Sequence, residues 1–333
     1  MPSTADLAVA RPLTTSPAAR FARYAWGVLA ANLGVILLGA YVRASGSGAG
    51  CGAHWPLCNG EVLPRDPAIQ TVVELSHRLS SGLALLLIAG LVIAAWRTYP
   101  AGHVVRRGAV LSAIFIASEA AIGAGLVLLR YVADDARIAR GYWVGGHLLN
   151  TFLLVAALTL TAWWASGHAA PRPRDRRGLA AGLLAAAAGV LLLGVSGAVT
   201  ALGDTLFPVT TLAEGEALTF ADSAHLFVRL RIYHPLLAIA VGAGVTLVAV
   251  AAARATPRPV VRRLAGIVVA LWAGQLLLGV VNVYLLAPIG IQLLHLLLSD
   301  LIWIALVLLA AASLEPPIDG PKKARVSATT AGR

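Results

Sequence analysis

Eight apolar runs constrain this chain more than any other feature. They lie at approximately residues 24–42, 72–96, 108–130, 143–165, 179–201, 225–253, 262–286 and 291–313, the last two joined by the short turn Ala287-Pro288-Ile289-Gly290. Each is about as long as the roughly 20 residues a helix needs to cross a hydrocarbon core of about 30 Å. Lipid offers backbone amides no partner, so runs of this length predict helices that satisfy their own hydrogen bonds. Composition agrees: 59% of the 333 residues are hydrophobic and only 12% charged, with a mean hydropathy of +0.81. That excludes an ordinary soluble domain.

The formal charge of +11 could point to nucleic acid, but the basic residues sit in the short loops between runs. On one side lie Arg11, Arg20, Arg23, Arg97, Arg106, Arg107, Arg172, Arg174, Arg176, Arg177, Arg254, Arg258, Arg262, Arg263, Lys322, Lys323, Arg325 and Arg333, which are 18 of the 26 Lys and Arg. The other side carries most of the acids: Glu61, Asp66, Asp134, Asp135, Asp204, Glu214, Glu216 and Asp222. The positive-inside rule then predicts a multi-pass protein of the cell membrane with both termini cytoplasmic. The first 20 residues are polar, without the apolar core of a signal peptide, and read as a disordered cytoplasmic tail.

An internal repeat sets the architecture. His147-Leu-Leu recurs as His295-Leu-Leu at an offset of 148, and Glu119-x-x-x-Gly123 as Gln275-x-x-x-Gly279 at 156. Gly39 leading to Gly46 resembles Gly197 leading to Gly203, and His77 pairs with His234 at 157. Four spans per unit is an even number, so both units share one topology about an axis along the membrane normal. The expected fold is an all-α polytopic membrane protein, its eight transmembrane helices forming two pseudo-symmetric four-helix bundles. Its expected segments are a tail (1–21), an amino-terminal half (22–165), a cytoplasmic linker (166–178), a carboxy-terminal half (179–313) and a second disordered tail (314–333).

Against this frame stands Val73-Glu74-Leu75-Ser76-His77-Arg78, at the start of the second run. An acid, an imidazole and a guanidinium fall within five residues, and Glu74 and His77 share one helix face, one turn apart. Ionisable groups in a span are costly and mark function. Four of the eight histidines form a system: His77 and His147 in one half, His234 and His295 in the other, each half using its second and fourth helix. Two imidazoles facing across a four-helix bundle suit axial ligation of a heme iron. A lone membrane histidine serves as well for an interhelical hydrogen bond, but four in repeat-related positions at one depth favour iron. Zinc fits less well, a bis-imidazole pair alone being a poor cage. His54, His103 and His168 fall in loops and read as solvated, while His225 opens the sixth span near a heme edge.

Arg78, Arg229 and Arg231 lie at the same boundary, where heme propionates need planar, bidentate cations. Snorkelling to lipid headgroups is the competing reading. Cys51 and Cys58, the only cysteines, fall in a loop placed outside the cytoplasm, where disulfides persist. They read as a structural staple or as a redox-active dithiol. Glu119, deep in the third run, is a second intramembrane acid, and its repeat mate Gln275 implies a need for hydrogen bonding more than for charge.

These residues carry a resemblance. Gly46-Ser47-Gly48-Ala49-Gly50-Cys51, Trp55-Pro56-Leu57-Cys58-Asn59-Gly60 and Glu74-Leu75-Ser76-His77-Arg78, with the later histidines, are similar to the heme A synthase family over about residues 22–313. The resemblance implies an oxidoreductase that converts the C8 methyl of heme O to a formyl group by successive hydroxylation, for cytochrome c oxidase biogenesis. It implies a catalytic site for the substrate heme O at Glu74, His77 and His147, and a heme b held by His234 and His295. It equates Cys51/Cys58 with the family's extracytoplasmic cysteine pair. Two departures stand out. Loop 203–224 lacks the second cysteine pair that many members carry, and His234-Pro235 stands where His-Arg is common, which leaves Arg229 and Arg231 as propionate partners.

A heme O synthase, an external electron acceptor, membrane lipid and a second copy of the chain are the candidate partners. The alternative is a bis-histidine diheme b-type electron-transfer cytochrome. Glu74 favours the enzyme, because it aligns with Arg231 and an inert carrier needs no acid beside its ligand. A quinone-coupled thiol oxidoreductase built on Cys51/Cys58 is a third reading.

Overall fold

The computed structural model describes residues 16–316. Eight helices long and apolar enough to cross a membrane are present, and the protein is a multi-pass membrane protein. The amino-terminal half contains α1 (Pro17–Ala44), α2 (Ile69–Thr98), α3 (Val104–Leu128) and α4 (Ile138–Ala165). The carboxy-terminal half contains α5 (Arg177–Leu206), a short outer helix α6 (Leu212–Phe220), the single turn α7 (Leu226–Arg229), α8 (Tyr233–Ala255), α9 (Pro259–Tyr284) and α10 (Ile289–Ser313). No strand occurs among the described residues beyond one isolated antiparallel bridge between Cys58 and Glu61.

Most helices extend a few residues beyond the apolar runs, α5 starting at Arg177 inside the expected linker, and two differences have a clear local reason. α1 begins at Pro17, inside the predicted tail, because Ser16 caps it by accepting from the Ala19 amide at 3.1 Å and proline is preset for the first helical turn. The rest of the predicted tails, residues 1–15 and 317–333, lie outside the described residues. The sixth span is not one helix. α7 passes through a 3₁₀ turn at Leu230–Ile232 before α8 begins, since Pro235 has no amide to donate and crowds the carbonyl four residues back.

The halves pack through α4. Over its most apolar stretch α4 is 67% buried, against 17–33% for the other seven spans, so it is the central helix, bounded by α1, α3, α5 and α10. Small residues let the helices close up, as expected where lipid supplies no hydrophobic drive between them. A Cβ at Gly108 of α3 would overlap Thr161 of α4, and one at Gly194 of α5 would lie 2.7 Å from the Phe152 ring of α4. Phe152 in turn stacks on Trp303 of α10 at 5.6 Å, and the Trp303 indole donates to the Phe152 carbonyl at 2.7 Å.

At the loop end, Arg43 of α1 ties the halves together. Its guanidinium donates to the Ala201 carbonyl (2.8 Å) and Thr205 Oγ1 (2.6 Å) on α5 and to Gln292 Oε1 (2.9 Å) on α10. Arg43 and Ala201 are 158 residues apart, the same separation as Gly39 and Gly197, so α1 and α5 meet beside the pseudo-two-fold axis. Arg43→Leu strands these acceptors and is expected to cost about 3 kcal/mol. The readout is the thermal midpoint of the protein in detergent micelles; an unchanged midpoint contradicts this bridging role.

Candidate functional site

The first constellation is the disulfide loop docked on α2. Cys51 and Cys58 are bonded, and the loop is held by the residues that looked anomalous in the sequence. Glu74 is buried; its Oε2 accepts from the Cys51 amide at 2.8 Å, and its Oε1 accepts from Arg78 Nη2 at 2.5 Å and Nε at 3.1 Å. Arg78 Nη1 donates to the His54 carbonyl at 2.7 Å and the Leu57 carbonyl at 2.8 Å. Thr71 Oγ1 adds a bond to the Gly50 carbonyl at 2.7 Å. Gly50 is obligatory here, because a Cβ would overlap the Gln70 backbone. An acid and a guanidinium one turn apart thus clamp the loop over the end of the amino-terminal half.

The second constellation is the four histidines, and each stands against a glycine of the preceding span. A Cβ at Gly39 would lie 2.7 Å from His77 Cε1, at Gly123 3.8 Å from His147 Cε1, at Gly197 2.9 Å from His234 Cε1, and at Gly279 3.3 Å from His295 Cε1. The pattern Gly–His, Gly–His therefore repeats in both halves. The His234 and His295 rings are centred 6.5 Å apart with planes at 70°. His234 Nδ1 lies 2.8 Å from Ser196 Oγ, whereas Nδ1 of His77, His147 and His295 is buried without a hydrogen-bond partner.

The carboxy-terminal arginines expected to meet propionates already have protein partners. Arg231 pairs with Asp204 at 2.8 Å and donates to the Gly203 (2.8 Å) and Phe207 (3.0 Å) carbonyls. Arg229, exposed, donates to the Asp222 carbonyl. The remaining histidines are less solvated than expected, except His54, which is exposed. His103 caps α3 and stacks on Tyr99 at 4.6 Å; His168 stacks on Trp163 at 3.4 Å; His225 caps α7 and stacks on Phe207 at 5.1 Å. Aromatic neighbours cover these rings because each loop folds back on its own helix end.

Three features escaped the sequence reading. Glu119 touches His147, with Oε1 3.3 Å from Nδ1. Arg43 bridges the halves. Asp300, midway along α10, is fully buried with neither carboxyl oxygen paired. Asp300 was detectable as an acid inside an apolar run, five residues after His295.

Eight spans in two repeat-related halves, each offering one imidazole from its second span and one from its fourth, define a membrane protein with duplicated histidine-pair sites. The chain belongs to the COX15-CtaA family, described as cytochrome oxidase assembly protein, whose family model matches residues 22–307. It is 48% identical over 296 residues to the protoheme IX farnesyltransferases of two strains of Thermus thermophilus, a match covering 89% of this chain and 49% of each relative. The chain therefore spans about half the length of these relatives. To the heme A synthase of Bacillus mycoides it is 42% identical over 110 residues, 33% of this chain and 35% of that protein.

Proposed function

We propose that the chain is a heme A synthase, oxidising the C8 methyl of heme O to a formyl group for cytochrome c oxidase biogenesis. The observation that carries this is the duplicated Gly–His geometry in a member of an oxidase-assembly family. The residues fit a heme iron. The 6.5 Å between the His234 and His295 centroids would admit a metal ion held between the two imidazoles. Glycine at 39 and 197 leaves His77 and His234 room that a side chain would fill, and Gly279 does so less tightly for His295. In His234 Nδ1 is taken by Ser196 Oγ, which leaves Nε2 as the nitrogen that would bind iron.

In this reading His77 and His147 hold the substrate heme O, and His234 and His295 hold a heme b, whose iron supplies redox capacity. Arg78, Arg229 and Arg231 keep unused N–H groups for propionates at the loop end. Glu74 spends three of its roughly four acceptor sites on Cys51 and Arg78. We assign the remaining one to taking a proton or orienting water at the porphyrin rim. The Cys51–Cys58 disulfide staples the loop that carries this contact. Methyl to formyl is a four-electron oxidation through the alcohol and its hydrate, with loss of water, and the electrons leave to an acceptor outside the chain. The cell membrane is the proposed location, with both termini cytoplasmic.

The Thermus relatives raise farnesyl transfer as a second reading, and the match to half of each does not say which half performs it. One experiment separates the readings: expression in a host lacking heme A, with and without a heme O synthase, followed by acid-acetone extraction and chromatography. Heme A, or its hydroxymethyl precursor, formed only with the synthase is the expected result. Heme O formed without it makes the chain a farnesyltransferase. Unchanged heme O with a b-type spectrum makes it an electron carrier.

A further inference from the structure

The two halves differ at the residue that meets the fourth-span histidine. In the amino-terminal half this is Glu119 of α3. Its Oε2 accepts from Asn150 Nδ2 at 2.5 Å, its Oε1 accepts from Thr151 Oγ1, and Oε1 also lies 3.3 Å from His147 Nδ1. Asn150 and Thr151 follow His147 by three and four residues on one face of α4, so the helix that carries the imidazole also pins the carboxylate beside it. Ser118 Oγ donates to Asn150 Oδ1 at 2.7 Å and steadies that amide. His147 Nδ1 is buried and has no aligned acceptor; a small rotation of the ring brings Nδ1–H onto Glu119.

In the carboxy-terminal half the repeat mate is Gln275 of α9. Its Nε2 donates to the His295 carbonyl at 3.1 Å, while its Oε1 and His295 Nδ1 are both buried without partners. An acceptor and a donor thus stand unused on the repeat-related pair of helices. The two halves share the architecture but not the charge.

We infer that Glu119 is a positioning residue that makes His147 the more strongly electron-donating of the two fourth-span ligands, with Gln275 orienting His295 through a neutral contact. A carboxylate that accepts the second N–H of a ligand imidazole fixes its tautomer and raises its basicity. An amide fixes the tautomer with little effect on basicity. Iron bound in the amino-terminal half therefore has the lower reduction potential, since ligand electron density favours the ferric state. This inference rests on the proposed placement of a heme in each half, and it separates the two electronically: the half with the carboxylate holds the heme acted upon.

The test uses the full chain in detergent with both sites loaded, titrated by visible absorbance and followed by electron paramagnetic resonance of the ferric hemes. Glu119→Gln is expected to raise the midpoint of the amino-terminal heme and leave the other in place. Gln275→Glu is expected to lower the midpoint of the carboxy-terminal heme alone. Opposite shifts at two sites are not produced by packing damage. Should Glu119→Gln weaken heme binding, by the 10–100-fold typical of such partners, Gln275→Glu decides the matter. Both hemes retained with unmoved midpoints overturns the inference and leaves the proposed function standing. A wild-type chain that binds no heme overturns the function itself.

Discussion

His234→Ala is expected to strip the carboxy-terminal heme from the purified chain while the amino-terminal site keeps its own. The ring it removes is held from two directions by α5, through Ser196 Oγ at 2.8 Å from Nδ1 and through Gly197, whose absent side chain leaves space at Cε1. The loss follows from how α8 begins. The 3₁₀ turn at Leu230–Ile232 and Pro235 place His234 in the first turn of α8, and no neighbouring histidine on that helix can substitute. Ser196→Ala removes only the group that orients the ring, for which a 10–100-fold weaker affinity is typical; deleting the ligand itself should exceed that. Reduced-minus-oxidised spectra and heme extraction read both variants, and free imidazole should restore the alanine variant in part. A b-type spectrum unchanged in His234→Ala removes this residue from the ligand set.

The spans and the four histidines were legible because a bilayer imposes length and forbids unsatisfied backbone, which leaves a strong periodic record in the sequence. The repeat was legible for a related reason: both halves set imidazoles against glycines, and Gly39, Gly123, Gly197 and Gly279 recur with their histidines. Side-chain direction was not legible. Proximity in sequence joined Glu74 to His77, yet the Glu74 carboxylate is turned to the Cys51 amide and Arg78. The acid that does touch one of the four histidines is Glu119, 28 residues before His147 and on another helix. Arg43 was hidden in the same way, since its partners lie 158 to 249 residues away. Local spacing places a residue on a face; which neighbour that face meets is decided by packing of the whole bundle.

The Glu74 variants bear most directly on chemistry. Glu74→Ala is expected to abolish conversion of heme O while the carboxy-terminal heme stays bound, because the described contacts of Glu74 reach only Cys51 and Arg78 within the amino-terminal half. Breaking a buried ion pair by removing one partner costs about 3–5 kcal/mol. Here that cost falls on the loop clamp, since Arg78 retains the His54 and Leu57 carbonyls. Clamp and proton acceptor are therefore entangled in the alanine variant, and Glu74→Gln separates them. The amide oxygen can still accept from the Cys51 amide while its NH2 now faces the Arg78 donors, so the ion pair is lost. The loop keeps the Arg78 bonds to the His54 and Leu57 carbonyls and the Thr71 bond to Gly50, and neither the charge nor a basic oxygen remains. Loss of product in Glu74→Gln with both hemes retained shows that the carboxylate takes part in the reaction. Normal product formation in that variant reduces Glu74 to a clamp. Loss of all heme from either variant makes it a structural residue of the whole bundle. The proposed function expects the first outcome: the carboxylate is buried, holds three hydrogen bonds and keeps one acceptor site.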